Sequence, residues 1–81
     1  MGRSGRKRET SDREILTAMV LHPDPVLATT EVSEAIDMSQ QGAFTRLEAL
    51  QDDGLVHSSK KGTTRVWWPT RRGRQFVAEK N

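Results

Sequence analysis

Two apolar stripes sit almost end to end in the middle of the chain. Val32, Ala35 and Ile36 form the first; Ala43, Leu47 and Leu50 form the second, at i, i+4 and i+7. Both have the 3.6-residue period of a helix with one buried face. Only Asp37-Met38 and a capping serine, Ser39, separate the two segments. A serine at that position accepts a hydrogen bond from the first free amides of the helix that follows. The spacing predicts a short helix over about Glu31 to Ile36, N-capped by Thr29 or Thr30. A tight turn at Asp37-Met38 and a second helix over 39–51 follow. Aspartate tolerates the left-handed conformation such a turn demands better than most residues. Gly54 ends the second helix as a left-handed C-terminal residue.

The flanking segments complete the order of elements. Ser11-Asp12-Arg13-Glu14 fits a capping box, and Ile15, Leu16, Met19 and Val20 recur at helical spacing, so a first helix runs from about Asp12 to His22. Pro23-Asp24-Pro25 ends it, because proline lacks an amide and disfavours helix just before itself. Val26-Leu27-Ala28 reads as a short edge strand. After Gly54, residues 55–59 read as a strand, Lys60-Lys61-Gly62-Thr63 as a polar hairpin loop, and Arg65-Val66-Trp67-Trp68 as the returning strand. Alternation puts Trp67 and Pro69 on one face and Val66 and Trp68 on the other. Thr70 caps a last helix from Arg71 to about Lys80 that carries Phe76 and Val77.

A chain of 81 residues makes one domain, and one this small buries only roughly 60% of its unfolded surface. Residues 1–10 are expected to be a flexible basic arm and 11–80 the folded domain. The chain has no cysteine, which excludes disulfides and thiolate metal sites. His22 and His57 lie on different elements, no Gly-rich phosphate loop is present, and Asp52-Asp53 reads as a solvated pair at a helix end. The expectation is therefore no enzymatic activity, no metal and no cofactor. Without a signal sequence or a long apolar run, the location expected is cytoplasmic. The net charge of +2 conceals a division: residues 1–8 carry four bases and no acid, residues 9–53 ten acids against two bases, and residues 54–81 seven bases against one acid. Such basic ends suit phosphates, although a solvated surface would have the same composition.

Capped helix, turn, Ser-capped helix and hairpin occur here in a fixed order. The residues are Thr29 through Gln40, then Thr45-Arg46-Leu47-Glu48-Ala49-Leu50, then Gly54-Leu55-Val56, with Thr70-Arg71-Arg72-Gly73 closing the hairpin. Over about residues 11–78 this resembles the winged helix-turn-helix transcription regulators of the MarR, PadR and small archaeal kind. The resemblance implies an α+β winged helix: a three-helix core, a wing of two or three antiparallel strands and a C-terminal helix. It also implies sequence-specific binding of double-stranded DNA, with recognition helix 39–51 in the major groove and wing 58–65 on the backbone or in the minor groove.

With the stripe of Ala43, Leu47 and Leu50 turned inward, Gln40, Gln41, Phe44, Thr45 and Glu48 lie on the other face. Gln pairs bidentately with adenine, and Thr contacts a base or the thymine methyl. The expected DNA-binding residues are Thr30, Ser39, Gln40, Gln41, Gly42, Thr45 and Arg46, with Lys60, Lys61, Thr63 and Arg65 of the wing. Arg46, beside the buried stripe, is expected on a phosphate, and Phe44 is expected to pack on a neighbouring element. Gly42 fits either a close approach to DNA or packing against helix 2. Arg71, Arg72 and Arg74 fit either further phosphate contacts or simple solvation of the last helix. A homodimer is implied, with Trp68, Phe76, Val77 and part of helix 1 as candidate contacts; Trp68 fits equally well as a lid on the core edge. The principal alternative is a winged-helix module that binds protein, which the acidic middle favours; RNA binding would need exposed stacking aromatics, for which only Phe44 and Trp68 are candidates.

Overall fold

The computed structural model describes residues 10–79. The order is α1 (Asp12–Leu21), β1 (Leu27–Ala28), α2 (Thr29–Ala35), α3 (Gln40–Asp52), β2 (Val56–Lys61), β3 (Thr64–Pro69) and α4 (Arg71–Ala78). Residues 1–9 of the arm expected over 1–10, and the end of the last helix expected near Lys80, lie outside the described residues.

Helix starts follow the local chemistry of the chain. Ser11 accepts from the Glu14 amide and the Glu14 carboxylate accepts from the Ser11 amide, the reciprocal pair of a capping box. Ser39 accepts from Gly42 at 3.0 Å, and Thr70 from Gly73 at 3.0 Å. Helix α2 departs from expectation. Neither threonine caps it; the helix begins at Thr29, and the Glu31 carboxylate reaches back to the Ala28 amide at 2.8 Å. A carboxylate in the first turn satisfies a free donor and suits the positive end of the helix dipole. Asp37 takes φ 55° in the turn and Gly54 φ 78° after α3.

The three strands form one antiparallel sheet in the order β1-β3-β2, so β1 is an edge. The wing strands are longer than expected. Lys61 pairs with Thr64, which leaves only Gly62-Thr63 as the turn, and Lys60 and Lys61 belong to β2 rather than to a loop. Gly62, at the first central position, has φ 63°, the placement of a II′ hairpin turn, whose twist matches that of the strands.

One core joins the helices to the sheet: Ile15, Leu16 and Met19 of α1, Leu27 of β1, Val32 of α2, Leu47 and Leu50 of α3, Val56 of β2 and Trp67 of β3. Burying each aliphatic side chain contributes about 1.5–3 kcal/mol. Ala35, expected in the inner stripe, is exposed; Ser33 is buried instead, and its hydroxyl donates to Thr30 O at 2.8 Å, which satisfies its polar group. Gly73 allows α4 to approach the backbone between α3 and β2, since a Cβ there would lie 2.2 Å from Leu55 O. The far end of α4 is tied to α1: Arg13 donates to the carbonyls of Phe76 (2.9 Å), Val77 (3.3 Å) and Glu79 (2.9 Å), and its guanidinium lies 4.6 Å from the Phe76 ring centroid. Those carbonyls are acceptors that a helix C-terminus leaves free, so Arg13 caps the end of α4, whose last residue is Ala78.

Candidate nucleic-acid interface

The first turn of α3 and the tip of the hairpin face each other across an open cleft of about 450 Å³. Its walls are Thr29, Thr30, Gln40, Gln41, Phe44, Thr63, Thr64 and Arg65. Five of the residues expected to bind DNA therefore meet in one place: Thr30, Gln40, Gln41, Thr63 and Arg65. Gln40 and Gln41 are exposed, and the first turn of α3 carries no acid, so its free amides and positive dipole end stay open to an anion.

Phe44 and Trp67 hold the cleft's floor. Their ring centroids are 5.7 Å apart at an interplanar angle of 76°, an edge-to-face pair between α3 and β3. The Trp67 indole N–H donates to the Thr29 hydroxyl at 2.8 Å and fixes the start of α2 against the sheet. Phe44 thus packs, as expected, while still lining the cleft.

Strand alternation sorts the wing cations. Arg65 shares a face with the buried Trp67 and Pro69, and Lys60 stands opposite Arg65 in the register, on that same inner face. Lys61, opposite Thr64, shares the outer face with Val66 and Trp68. Arg65 donates to Ser58 Oγ at 2.9 Å, and its guanidinium lies 5.8 Å from the Trp67 ring centroid. Ser58 Oγ is in turn 2.5 Å from Gln51 Oε1 on α3. Neither Ser58 nor Gln51 stood out in the sequence; the strand register sets Ser58 opposite Trp67 and diagonal to Arg65, on the same face.

The other expected site residues lie apart from the cleft. Arg46 points to α1 and forms an ion pair with Asp12 at 2.8 Å, a pair that the expected phosphate contact would have to break or share. The Thr45 hydroxyl is exposed but donates to Gln41 O at 3.0 Å within its own helix. Ser39 is engaged as the cap. At Gly42 an added Cβ would meet Ser39 Oγ at 3.0 Å and Met38 Cγ at 3.2 Å, both ends of side chains rather than backbone. Trp68 is half-buried on the outer face beside His57, with ring centroids 6.0 Å apart. Phe76 and Val77 pack on the core within the chain, and one face of Phe76 lies against Arg13. The large apolar side chains that stand exposed are Leu21 (76%) and Val26 (43%), on either side of the Pro23-Asp24-Pro25 bend.

Among the described residues no cluster of three or more His, Asp or Glu is placed to hold a metal ion, and no helix is long and apolar enough to cross a membrane. No protein-family profile matches the chain, and no curated protein matches it in sequence. Solved structures do match. BpsR of Bordetella bronchiseptica, whose DNA binding is regulated by 6-hydroxynicotinic acid, superposes with a TM-score of 0.71 at 20% identity over 79% of this chain and 45% of its own. ZitR of Lactococcus lactis, a zinc-responsive MarR family member, gives 0.72 at 20% identity over 94% of this chain and 53% of its own. The fold is a winged helix-turn-helix. The winged helix spans about half the length of those two proteins. It also matches 18% of human N-acetylserotonin methyltransferase, with a TM-score of 0.69 at 14% identity, so the winged helix by itself does not decide function.

Proposed function

We propose that this winged helix is a transcription regulator that binds double-stranded DNA sequence-specifically, with no enzymatic role. Helix α3 enters the major groove with Gln40 and Gln41 leading, and the hairpin lies on the flanking backbone or in the minor groove. The observation that carries the reading is the cleft itself: exposed glutamines at an acid-free helix N-terminus face Arg65 and Thr63 of the wing, so one duplex can meet both. Thr30 at the start of α2 supplies a further polar contact. Lys60 and Lys61, which have no ion-pair partner among the described residues, add phosphate contacts near the tip. The similar fold of BpsR, a protein that binds DNA, supports this choice.

Two copies on a palindromic site would place their α3 helices about 34–36 Å apart. Trp68, Phe76 and Val77, with part of α1, are the proposed contact between copies, and sedimentation with and without duplex tests it.

A titration with random-sequence and selected duplexes at several salt concentrations tests the function. Binding should weaken steeply with salt, and selected sequences should outcompete random ones. Replacing Lys60, Lys61 and Arg65 by alanine should weaken binding to every duplex and flatten the salt dependence; replacing Gln40 and Gln41 should relax sequence preference. The acidic middle of the chain favours a second reading, a module that binds protein. Absence of duplex binding even at low salt would support that reading and remove the first.

A further inference from the structure

Arg65 is not a free wing cation. Its guanidinium sits in the seam between α3 and the hairpin, against the Trp67 ring, and one of its amino groups donates to Ser58 Oγ. Ser58 can accept that bond because its own hydroxyl proton is directed to Gln51 Oε1. The chain Arg65–Ser58–Gln51 has one hydrogen-bond direction throughout. It runs from the wing through the sheet to the next-to-last residue of α3. A guanidinium has five N–H donors, and this contact uses one. The rest stay available beside the cleft, where the strand of DNA flanking an inserted α3 would pass.

From this geometry we infer that Ser58 and Gln51 are positioning residues, which fix the Arg65 guanidinium before DNA arrives so that it meets a backbone phosphate bidentately. The inference rests on the DNA-binding reading above and adds to it a division of labour. Arg65 is a prepared contact whose rotamer freedom is already lost in the free protein, whereas Lys60 and Lys61 must be ordered on binding. Preorganisation raises affinity by lowering that ordering cost, and a fork of parallel donors suits a phosphate. The link to Gln51 also makes the position of the wing arginine depend on α3, the element that would read the bases.

The test is a double-mutant cycle read on duplex affinity, with a second measurement on the free protein. Ser58→Ala should weaken binding about two- to tenfold, the size of one lost hydrogen bond, with the salt slope nearly unchanged because the charge remains. Arg65→Ala should lower the salt slope by about one. Ser58→Ala added to Arg65→Ala should then cost nothing more, and Ser58→Thr, which keeps the hydroxyl, should bind as the parent does. In the free protein, NMR relaxation at the Arg65 Nε–H should report a rigid side chain that Ser58→Ala or Gln51→Ala loosens. Equal losses from Ser58→Ala with and without Arg65, or an Arg65 side chain equally mobile in all variants, would overturn the inference while leaving DNA binding intact. A parent protein that binds no duplex would remove the functional reading itself.

Discussion

Nη2 of Arg46 lies 2.8 Å from Oδ1 of Asp12, across 34 residues of sequence, and joins the middle of α3 to the first turn of α1. The side chains are 30% and 46% exposed, so solvent screens the pair and its contribution to stability is small. Arg46→Ala should cost less than about 1 kcal/mol in urea unfolding. It should leave the salt slope of duplex binding unchanged, in contrast to Arg65→Ala. A slope reduced by about one would mean that Arg46 leaves Asp12 for a phosphate in the complex.

Gly73 and Gly42 make opposite predictions. A Cβ at Gly73 would collide with backbone, the Leu55 carbonyl 2.2 Å away, which also accepts from the Thr70 amide. Gly73→Ala must push α4 away from that backbone, and overpacking of this kind costs about 1–3 kcal/mol. At Gly42 the neighbours are the ends of Ser39 and Met38, which can yield. The gain in helix propensity, roughly 0.8–1.0 kcal/mol, should largely offset that adjustment. Gly42→Ala should thus be close to neutral in thermal unfolding. Its effect on duplex affinity then measures how near the α3 backbone comes to DNA.

Trp67 connects three elements, through its edge contact with Phe44, its bond to Thr29 and its place in β3. Trp67→Phe keeps an aromatic ring but removes the fused pyrrole ring, which leaves a gap in the core and the Thr29 hydroxyl without its donor. It should destabilise the domain by about 1–3 kcal/mol. Duplex affinity should fall with it, since Thr29, Phe44 and Arg65 all line the cleft. Chemical unfolding followed by circular dichroism, beside the duplex titration, separates the two effects.

What was legible in the sequence is what neighbouring residues decide. Ser11, Ser39 and Thr70 cap their helices through bonds three residues long, and Asp37 and Gly54 hold their positive φ where the turn and the helix end require it. The inner stripe of α3 follows from period alone; period also separates Trp67 from Trp68, without deciding which of the two turns inward. What was not legible shares a different cause, a partner that only the fold supplies or a choice between local solutions of similar energy. Glu31 took the cap that Thr29 and Thr30 also offered, and Trp67 then claimed Thr29. Asp12 claimed Arg46, and Arg13 capped the end of α4. The wing's two-residue turn follows from Gly62 at the first central position, but the strand register that pairs Lys61 with Thr64 was needed to show it.

That register yields a last prediction. Lys60 and Lys61 are adjacent in sequence and alike in charge, yet they stand on opposite faces of the hairpin. Lys60 lies across from Arg65 on the face turned to α3, and Lys61 across from Thr64 on the outer face. If the duplex occupies the cleft, Lys60 stands nearer its phosphates, and Coulomb attraction falls with distance and with screening beyond about 10 Å in 0.1 M salt. Lys60→Ala should therefore lower both the affinity and the salt slope more than Lys61→Ala does. The gap should narrow as salt rises, because the attraction that separates them is screened. Equal losses from the two variants would place the duplex across the tip of the wing, where face no longer matters; a larger loss at Lys61 would put it on the outer face, beside Trp68 and away from α3.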